Sequence, residues 1–477
     1  MATKYEVVVV IVPFPAQGHL NQLLHFSSLI SSYKNIQVHY VSTKIHTRQA
    51  KIRAHGLVNP SSSSNNIIHF HEFSTPSFPS PPPNPNSNIK FPSHLQPSFE
   101  SSYHLRNPVA SLLRYLSSIA RRVVVVHDSL MAYVVQDFTS LPNVESYNFH
   151  SVSAFTIFLF LWESMGKPFP IEAEILDNLP SLEGCFTSEF MDFMASQRKY
   201  SKSDSGFIYN TSRVIEGKFM NLLEKEPIKR NKTQWAIGPF NPMKIINKTS
   251  TNNYLSIDHH HHHRHKCLLW LDKQSPKSAL FISFGTTTSL KDEQIEELCI
   301  GLEKSGIKFI WALRDADKGD IFSGEMRKIE LPKGYEERIK NKGIIVRDWA
   351  PQLEILGHLS IGAFISHCGW NSCMESLSMG VPIIAWPMHS DQPRNSILIT
   401  KFLKVGINIF NNWERSRNEV VKSNIIEHVI VTIMLNNIEG NEIRRRAAEL
   451  GVAIRRSVVE GGVTRKELDS FIAHITR

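Results

Sequence analysis

The feature that most constrains this chain is a series of short, nearly unbroken apolar runs separated by longer amphipathic stretches. Val7–Val12, Val38–Val41, Ile67–Phe70, Val123–Val126, Val144–Tyr147 and Phe207–Tyr209 mark the first half. Ala279–Phe284, Lys308–Ala312, Ile344–Arg347, Ile361–Ser366 and Pro382–Ala385 mark the second. A strand with one wet face alternates apolar and polar residues, whereas a strand covered on both faces reads as a continuous apolar run. Such runs with helical patterns between them predict parallel sheets in an α/β fold, one sheet in each half. The composition shifts between the halves: Asn241 to His265 is rich in Asn, Ser, Thr and His, and reads as an exposed linker. The expected division is a Rossmann-like domain over 1–240, a linker over 241–265, a second Rossmann-like domain over 266–455, and a C-terminal helix over 456–477 packing back on the first domain. Two such domains face each other across a cleft.

Ligands of open α/β sheets bind beyond the carboxyl ends of the strands, so the residues there carry the functional reading. The first strand runs into Pro13-Phe14-Pro15-Ala16-Gln17-Gly18-His19-Leu20-Asn21. Gly18 permits a turn, and His19 then faces the cleft as a group able to take a proton near neutrality. Val123–Val126 runs into His127-Asp128. Neighbours on a strand point to opposite faces, so one of this pair orients the base and the other is structural. Ser283, Thr286 and Thr287 follow the first strand of the second half, where small hydroxyl residues beside Gly285 line a diphosphate. The richest segment is Trp349 to Gln392, WAPQLEILGHLSIGAFISHCGWNSCMESLSMGVPIIAWPMHSDQ. Within it a buried strand ends at His367-Cys368-Gly369-Trp370-Asn371-Ser372, where a helix should begin. Gly369 allows the turn and Asn371 or Ser372 caps the helix. A helix start with free N–H groups is an anion site suited to a diphosphate. The helix stops at Gly380, and Asp391 and Gln392 lie just past the next strand.

Several function classes are excluded. The net charge is +9, but the densest basic cluster, Arg444–Arg446, shares its helix with Glu442 and Glu449 and reads as a solvated face, not a nucleic-acid patch. Phe155 to Trp162 is far too short to span a membrane. Cys185, Cys267, Cys299, Cys368 and Cys373 fit no zinc spacing and suit reduced thiols in a cytoplasmic protein. His259–His263 lacks a defined ligand geometry, and Asp315-Ala316-Asp317 is a three-letter pattern in a charged loop, so no metal is expected. A dinucleotide-dependent oxidoreductase needs GxGxxG after its first strand, and PFPAQGH lacks it. Ser74 to Pro97 is a Pro/Ser/Asn tract expected as a surface loop without helix or central strand, either idle or rimming a pocket.

The run from Trp349 to Gln392 closely resembles, without insertion or deletion, the signature box of the plant UDP-dependent glycosyltransferases of specialised metabolism. The resemblance implies a GT-B architecture and assigns roles. Trp349 stacks on uracil, and Ala350 and Gln352 meet the nucleoside. His367, Asn371 and Ser372 contact the diphosphate, Glu375 the ribose hydroxyls, and Trp370, Asp391 and Gln392 the sugar. The terminal Gln goes with UDP-glucose as donor. Cys373 departs from the usual Ser or Thr. FPAQGHLN resembles the N-terminal signature whose His is the general base, and the family's orienting Asp falls on Asp128, with His127 the rival. The turn after Ser283 resembles a family element that lines the donor. The implied enzyme is an inverting, metal-independent monomer without cofactor that glycosylates a small hydroxylated acceptor. LNQLLHFSSLIS, VHYVSTKIHTRQAK, SFESSYHLRNPV and HDSLMAYVVQD resemble the zeatin O-glucosyltransferase group, which implies a cytokinin hydroxyl as acceptor. A flavonoid, another phenolic or a terpenoid, a xylosyl donor, or a catalytically silent UDP-sugar-binding protein are the alternatives.

Overall fold

The apolar runs become strands of two parallel sheets. The structure, a computed structural model, describes residues 5–52, 68–79, 83–177, 179–225, 228, 231–241, 264–314, 329–410, 413, 418–435 and 437–477. The first sheet comprises β1 (Tyr5–Val12), β2 (Ile36–Thr43), β3 (Ile68–Phe73), β4 (Ala120–Asp128), β5 (Val144–His150), β6 (Gly206–Tyr209) and β7 (Thr233–Ala236), in the order β3-β2-β1-β4-β5-β6-β7. The second comprises β8 (Ala279–Ser283), β9 (Lys308–Ala312), β10 (Gly343–Val346), β11 (Ile361–Ser366), β12 (Ile383–Ala385) and β13 (Gly406–Asn408), in the order β10-β9-β8-β11-β12-β13. All pairings are parallel.

Both faces of the central strands are covered, which is why they read as unbroken apolar runs. Val7, Val9 and Ile11 of β1 pack with Val124, Val126 and Phe471. Val8, Val10 and Val12 pack on the other face with Val123, Val125 and Phe99. Each fully buried side chain of this size contributes about 1.5–3 kcal/mol. β7 and β13 lack such runs and were not expected. Both are sheet edges, four and three residues long, with a polar residue at one end.

The apolar run Phe155–Trp162 is a helix, Ala154–Ser164, capped by Ser153. Its buried residues share one core cluster with Trp370, Cys373 and Ile383, and that cluster joins the two halves. The indole Nε1 of Trp370 donates to the Asn210 carbonyl at 2.8 Å across the same junction. The last helix, Val463–Thr476, lays Leu468, Phe471 and Ile475 on the first sheet, and Glu467 accepts from Arg213 and from the Ala236 backbone N–H. The Pro/Ser/Asn tract departs from expectation at its far end. Ser93–Leu95 is a 3₁₀ turn, and Gln96–Ser101 is helical with Pro97 in its first turn, where a missing N–H costs nothing. No helix among the described residues is long and apolar enough to cross a membrane.

Candidate active site

His19 lies in the first turn of the helix Gln17–Ser31, which starts five residues after β1 ends. Asp128 is the last residue of the neighbouring β4, whose His127 pairs with Val12 of β1. The register therefore sets Asp128 one step past the end of β1. His19 Nδ1 is 2.7 Å from Asp128 Oδ2 and 2.8 Å from Ser151 Oγ. The other Asp128 oxygen accepts from the Leu130 N–H at 3.0 Å. Asp128 is wholly buried, whereas the His19 side chain is 23% exposed. Its engaged Nδ1 leaves Nε2 as the nitrogen able to take a proton. Burial lowers the His19 pKa, but the Asp128 charge and hydrogen bond, with a contribution from Asp391, outweigh it and hold the group above its ordinary value. His127 turns to the other face, with Nε2 3.0 Å from Asp204 Oδ1.

On the opposite wall, β11 ends at Ser366 and the chain turns through His367 and Cys368 into the helix Trp370–Met379. Cys368 sits in the left-handed region at φ 63°, held there by the Ser366 hydroxyl at its N–H and by Asn395 at its carbonyl. The helix is capped by Gly369 without a side-chain hydrogen bond. Asn371 and Ser372 do not cap it, because both side chains lie inside the first turn and point to other partners. Asn371 Nδ2 donates to Glu375 Oε1 at 2.8 Å. Gln352 Nε2 donates to Glu375 Oε2 at 2.7 Å and to Ser372 Oγ at 3.0 Å. The first-turn backbone N–H groups stay available to an anion. The His367 ring is clasped between two glycines: a Cβ on Gly285 or Gly369 would stand 2.8 or 2.5 Å from its Nε2. Burial pulls His367 down to about 4, so it is a neutral hydrogen-bonding group. Burial pushes Glu375 up to about 7 against the lowering effect of Gln352 and Asn371.

These two walls enclose one cleft with about 1470 Å³ of empty space, including its open mouth. It gathers His19, Ser283, Thr286, Thr287, Trp349, Ala350, Gln352, His367, Trp370, Asn371, Ser372, Glu375, Asp391 and Gln392; of the expected site residues only Asp128 lies behind the wall. The Gln392 amide is turned inward, its Oε1 accepting from the Met388 and His389 N–H groups. Asp391 Oδ2 accepts from Asn395 at 2.6 Å, and burial raises its pKa. At the His19 end the lining becomes apolar, with Phe14, Phe91, Leu95, Phe99, Leu130 and Phe190. The Phe14–Phe99 and Phe91–Phe190 ring centroids are each 4.6 Å apart. No group of three or more His, Cys, Asp or Glu among the described residues is arranged to hold a metal ion. His259–His263 and Asp315–Asp317 lie outside the described residues.

Residues 5–242 match the family model for the glycosyltransferase N-terminal domain, and residues 214–430 match that for UDP-glucoronosyl and UDP-glucosyl transferases. The chain is 54% identical to a zeatin O-glucosyltransferase of Phaseolus lunatus, over 99% of this chain and 97% of the relative. It is 52% identical to a zeatin O-xylosyltransferase of Phaseolus vulgaris, over 99% and 98%. The chain belongs to the UDP-glycosyltransferase family. The GT-B fold agrees with the structure of Phytolacca americana UGT2 complexed with UDP-2fluoro-glucose and pterostilbene, at a TM-score of 0.74 and 24% identity, covering 99% of this chain and 100% of that one. As a UDP-glycosyltransferase it transfers a sugar from a UDP-sugar to a small acceptor.

Some residues of this glycosyltransferase's cleft were missed in the sequence. Ser151 directly follows β5, a strand end that deserved the attention given to β4. Asn395 joins the halves: its Oδ1 accepts from Ser153 at 2.7 Å while its Nδ2 holds Asp391. His389 lies in the signature run, unassigned. It lines the cleft edge-on to Phe91, and burial beside His367 and His94 takes it down to about 3. Phe91 and Leu95 come from a tract whose composition reads as loop.

Proposed function

We propose that this enzyme glycosylates by one inverting displacement, with His19 as general base and Asp128 as its orienting partner. The acceptor hydroxyl gives its proton to His19 Nε2, and its oxygen forms a bond to the anomeric carbon of the UDP-sugar. The bond from that carbon to the β-phosphate oxygen breaks, and UDP leaves toward His367 and the first-turn N–H groups at Asn371 and Ser372. An α-linked donor then yields a β-glycoside. The observation that carries the reading is the 2.7 Å contact between His19 and a wholly buried carboxylate at the cleft wall, opposite an uncapped helix start. Trp349, Ala350 and Gln352 take the nucleoside, Glu375 the ribose, Ser283, Thr286 and Thr287 the diphosphate's far side, and Asp391 and Gln392 the sugar. The Trp370 indole is committed to Asn210, so its share in sugar binding falls to its backbone. The chain divides, in this reading, into an acceptor domain over 1–240, a linker over 241–265, a donor domain over 266–455 and a returning helix over 456–477. It acts as a cytoplasmic monomer without metal, and its five buried cysteines form no disulfide.

The acceptor is a zeatin-type cytokinin hydroxyl and the donor UDP-glucose. The relatives at 54% and 52% identity are named for zeatin, and the apolar, phenylalanine-lined end of the cleft suits a flat aromatic ring. UDP-xylose is the second donor reading, because the second of these relatives is named a xylosyltransferase. The test offers UDP-glucose, UDP-xylose and UDP-galactose against trans-zeatin, cis-zeatin and a flavonoid panel, with EDTA present, reading UDP release and product mass. A hexose adduct on zeatin that survives EDTA is the expected result. Turnover of phenolics alone discards the cytokinin assignment, and loss of turnover in EDTA discards metal independence.

A further inference from the structure

Directly behind the His19–Asp128 pair lies a second histidine–carboxylate pair that the proposed chemistry does not touch. His127 has no exposed surface and Asp204 is 3% exposed. The two ring nitrogens of His127 face different partners. Nδ1 is 2.9 Å from the backbone carbonyl oxygen of Asp128, and Nε2 is 3.0 Å from Asp204 Oδ1. A carbonyl oxygen only accepts, so Nδ1 carries a proton. Asp204 is an acceptor on both oxygens: the Ser146 hydroxyl also donates to Oδ1, and Asn148 Nδ2 donates to Oδ2 at 3.3 Å. With Ser146 and Asn148 both donating to it, Asp204 is the ionised form; an ionised carboxylate only accepts, so Nε2 carries a proton too. Neutral imidazole has only one N–H.

We infer that His127 is an imidazolium ion-paired with Asp204 inside the first sheet, and that this pair positions Asp128 and tunes the base His19. The positive end of the pair faces the Asp128 peptide, and the charges alternate from Asp204 through His127 and Asp128 to the imidazolium that His19 becomes on taking a proton. The titratable neighbour on β5, His150, is pulled down to about 4 by burial and adds no charge. The directions agree. Burial lowers His127, but the Asp204 charge and hydrogen bond, with Asp128, raise it overall. Burial raises Asp204, but His127, Ser146 and Asn148 hold it below the usual carboxylate range. His127 is thus a positioning residue that never meets substrate. Breaking such a pair leaves an uncompensated buried charge, which is why each partner requires the other.

The tuning role rests on His19 being the base; the protonation state does not. Long-range 15N–1H spectra of the 15N-histidine-labelled enzyme at pH 7.5 to 8 read that state, with His127 assigned by comparison with His127→Gln. If that variant fails to fold, neutron diffraction of the wild-type enzyme replaces it. Protons on both nitrogens are expected, and one bare nitrogen overturns the inference. In His127→Gln, Asp204 keeps its charge and the local positive charge is gone, so His19 holds its proton more tightly. The acid limb of kcat/KM should then move up by roughly 0.5–1 pH unit, while the double variant His127→Gln/Asp204→Asn should return toward the wild-type limb. A limb unmoved in both overturns the tuning role. Full turnover in His19→Ala would instead remove the base assignment, with the spectra still reporting on the ion pair.

Discussion

The two sheets each set a histidine at the carboxyl end of their central strand pair, and the two end in opposite electrostatic states. His19 follows β1 and meets Asp128 at the end of β4; His367 follows β11 and meets glycine and backbone beside β8. Both are partly buried, and burial alone lowers a histidine. His367 shows that outcome, at about 4. His19 escapes it because two carboxylates, Asp128 and Asp391, favour its charged form. One architecture thus holds a group suited to gaining a proton and, across the cleft, one suited to staying neutral. The fold supplies the place, and the neighbouring charge decides the chemistry done there.

The largest effect should come from removing the first histidine. His19→Ala is expected to lower kcat by about 10²–10⁴, with the KM for the UDP-sugar little changed, as measured by UDP release. Normal turnover would break the contrast at its root. Asp128→Asn should follow, lowering kcat by roughly 10² or more because the imidazolium formed in the reaction loses its partner. The sign of its pH effect is fixed. With His19 as the proposed base, wild-type activity should fall as pH drops through a His19 pKa held above 6.5, and the amide removes the main cause of that elevation. The acid limb of kcat/KM should therefore move to lower pH. A limb moving upward would mean that Asp128 does not act on His19 as a charge.

His367→Gln sharpens the other side. It should raise the donor KM by roughly tenfold and leave the acid limb where it was, since a residue neutral above about 4 contributes no limb near neutrality. The smallest effect concerns stability. Glu375 is raised to about 7 in the folded state, so stability falls as pH rises from about 4.5 through 7. Glu375→Gln removes that loss. Its Tm should exceed the wild type by roughly 1–3 °C at pH 8 and match it at pH 5, while UDP binding weakens. An equal shift at both pH values would show that the buried charge is not the cause.

Much of this was legible before any coordinates. Central strands announce themselves because two dry faces demand continuous apolar sequence, and Lys308–Ala312 and Ile361–Ser366 agree residue for residue with β9 and β11. The edge strands β7 and β13 were invisible, since an edge needs no such run. The tract ending at Pro97 misled by composition: Phe91 and Leu95 are both 6% exposed, packed into the first half's core beside the cleft. The expected cap at Asn371 or Ser372 failed because Glu375, one turn on, and Gln352 from the preceding helix take those side chains first.

By itself, the sequence determined the parallel sheets, the family and the strand ends where chemistry would gather, because those depend on local pattern and on motifs read in one run of chain. It left open whether Asp128 or His127 reaches His19, since strand alternation separates the two without naming the inner one. The tertiary structure decided that choice through the β1–β4 register and the buried carboxylate of Asp204 waiting on the other side. It also decided the opposite directions in which the two histidines' proton affinities shift. A side chain's proton affinity is set by burial and by the charges within a few ångströms, and those neighbours come from segments far apart in sequence.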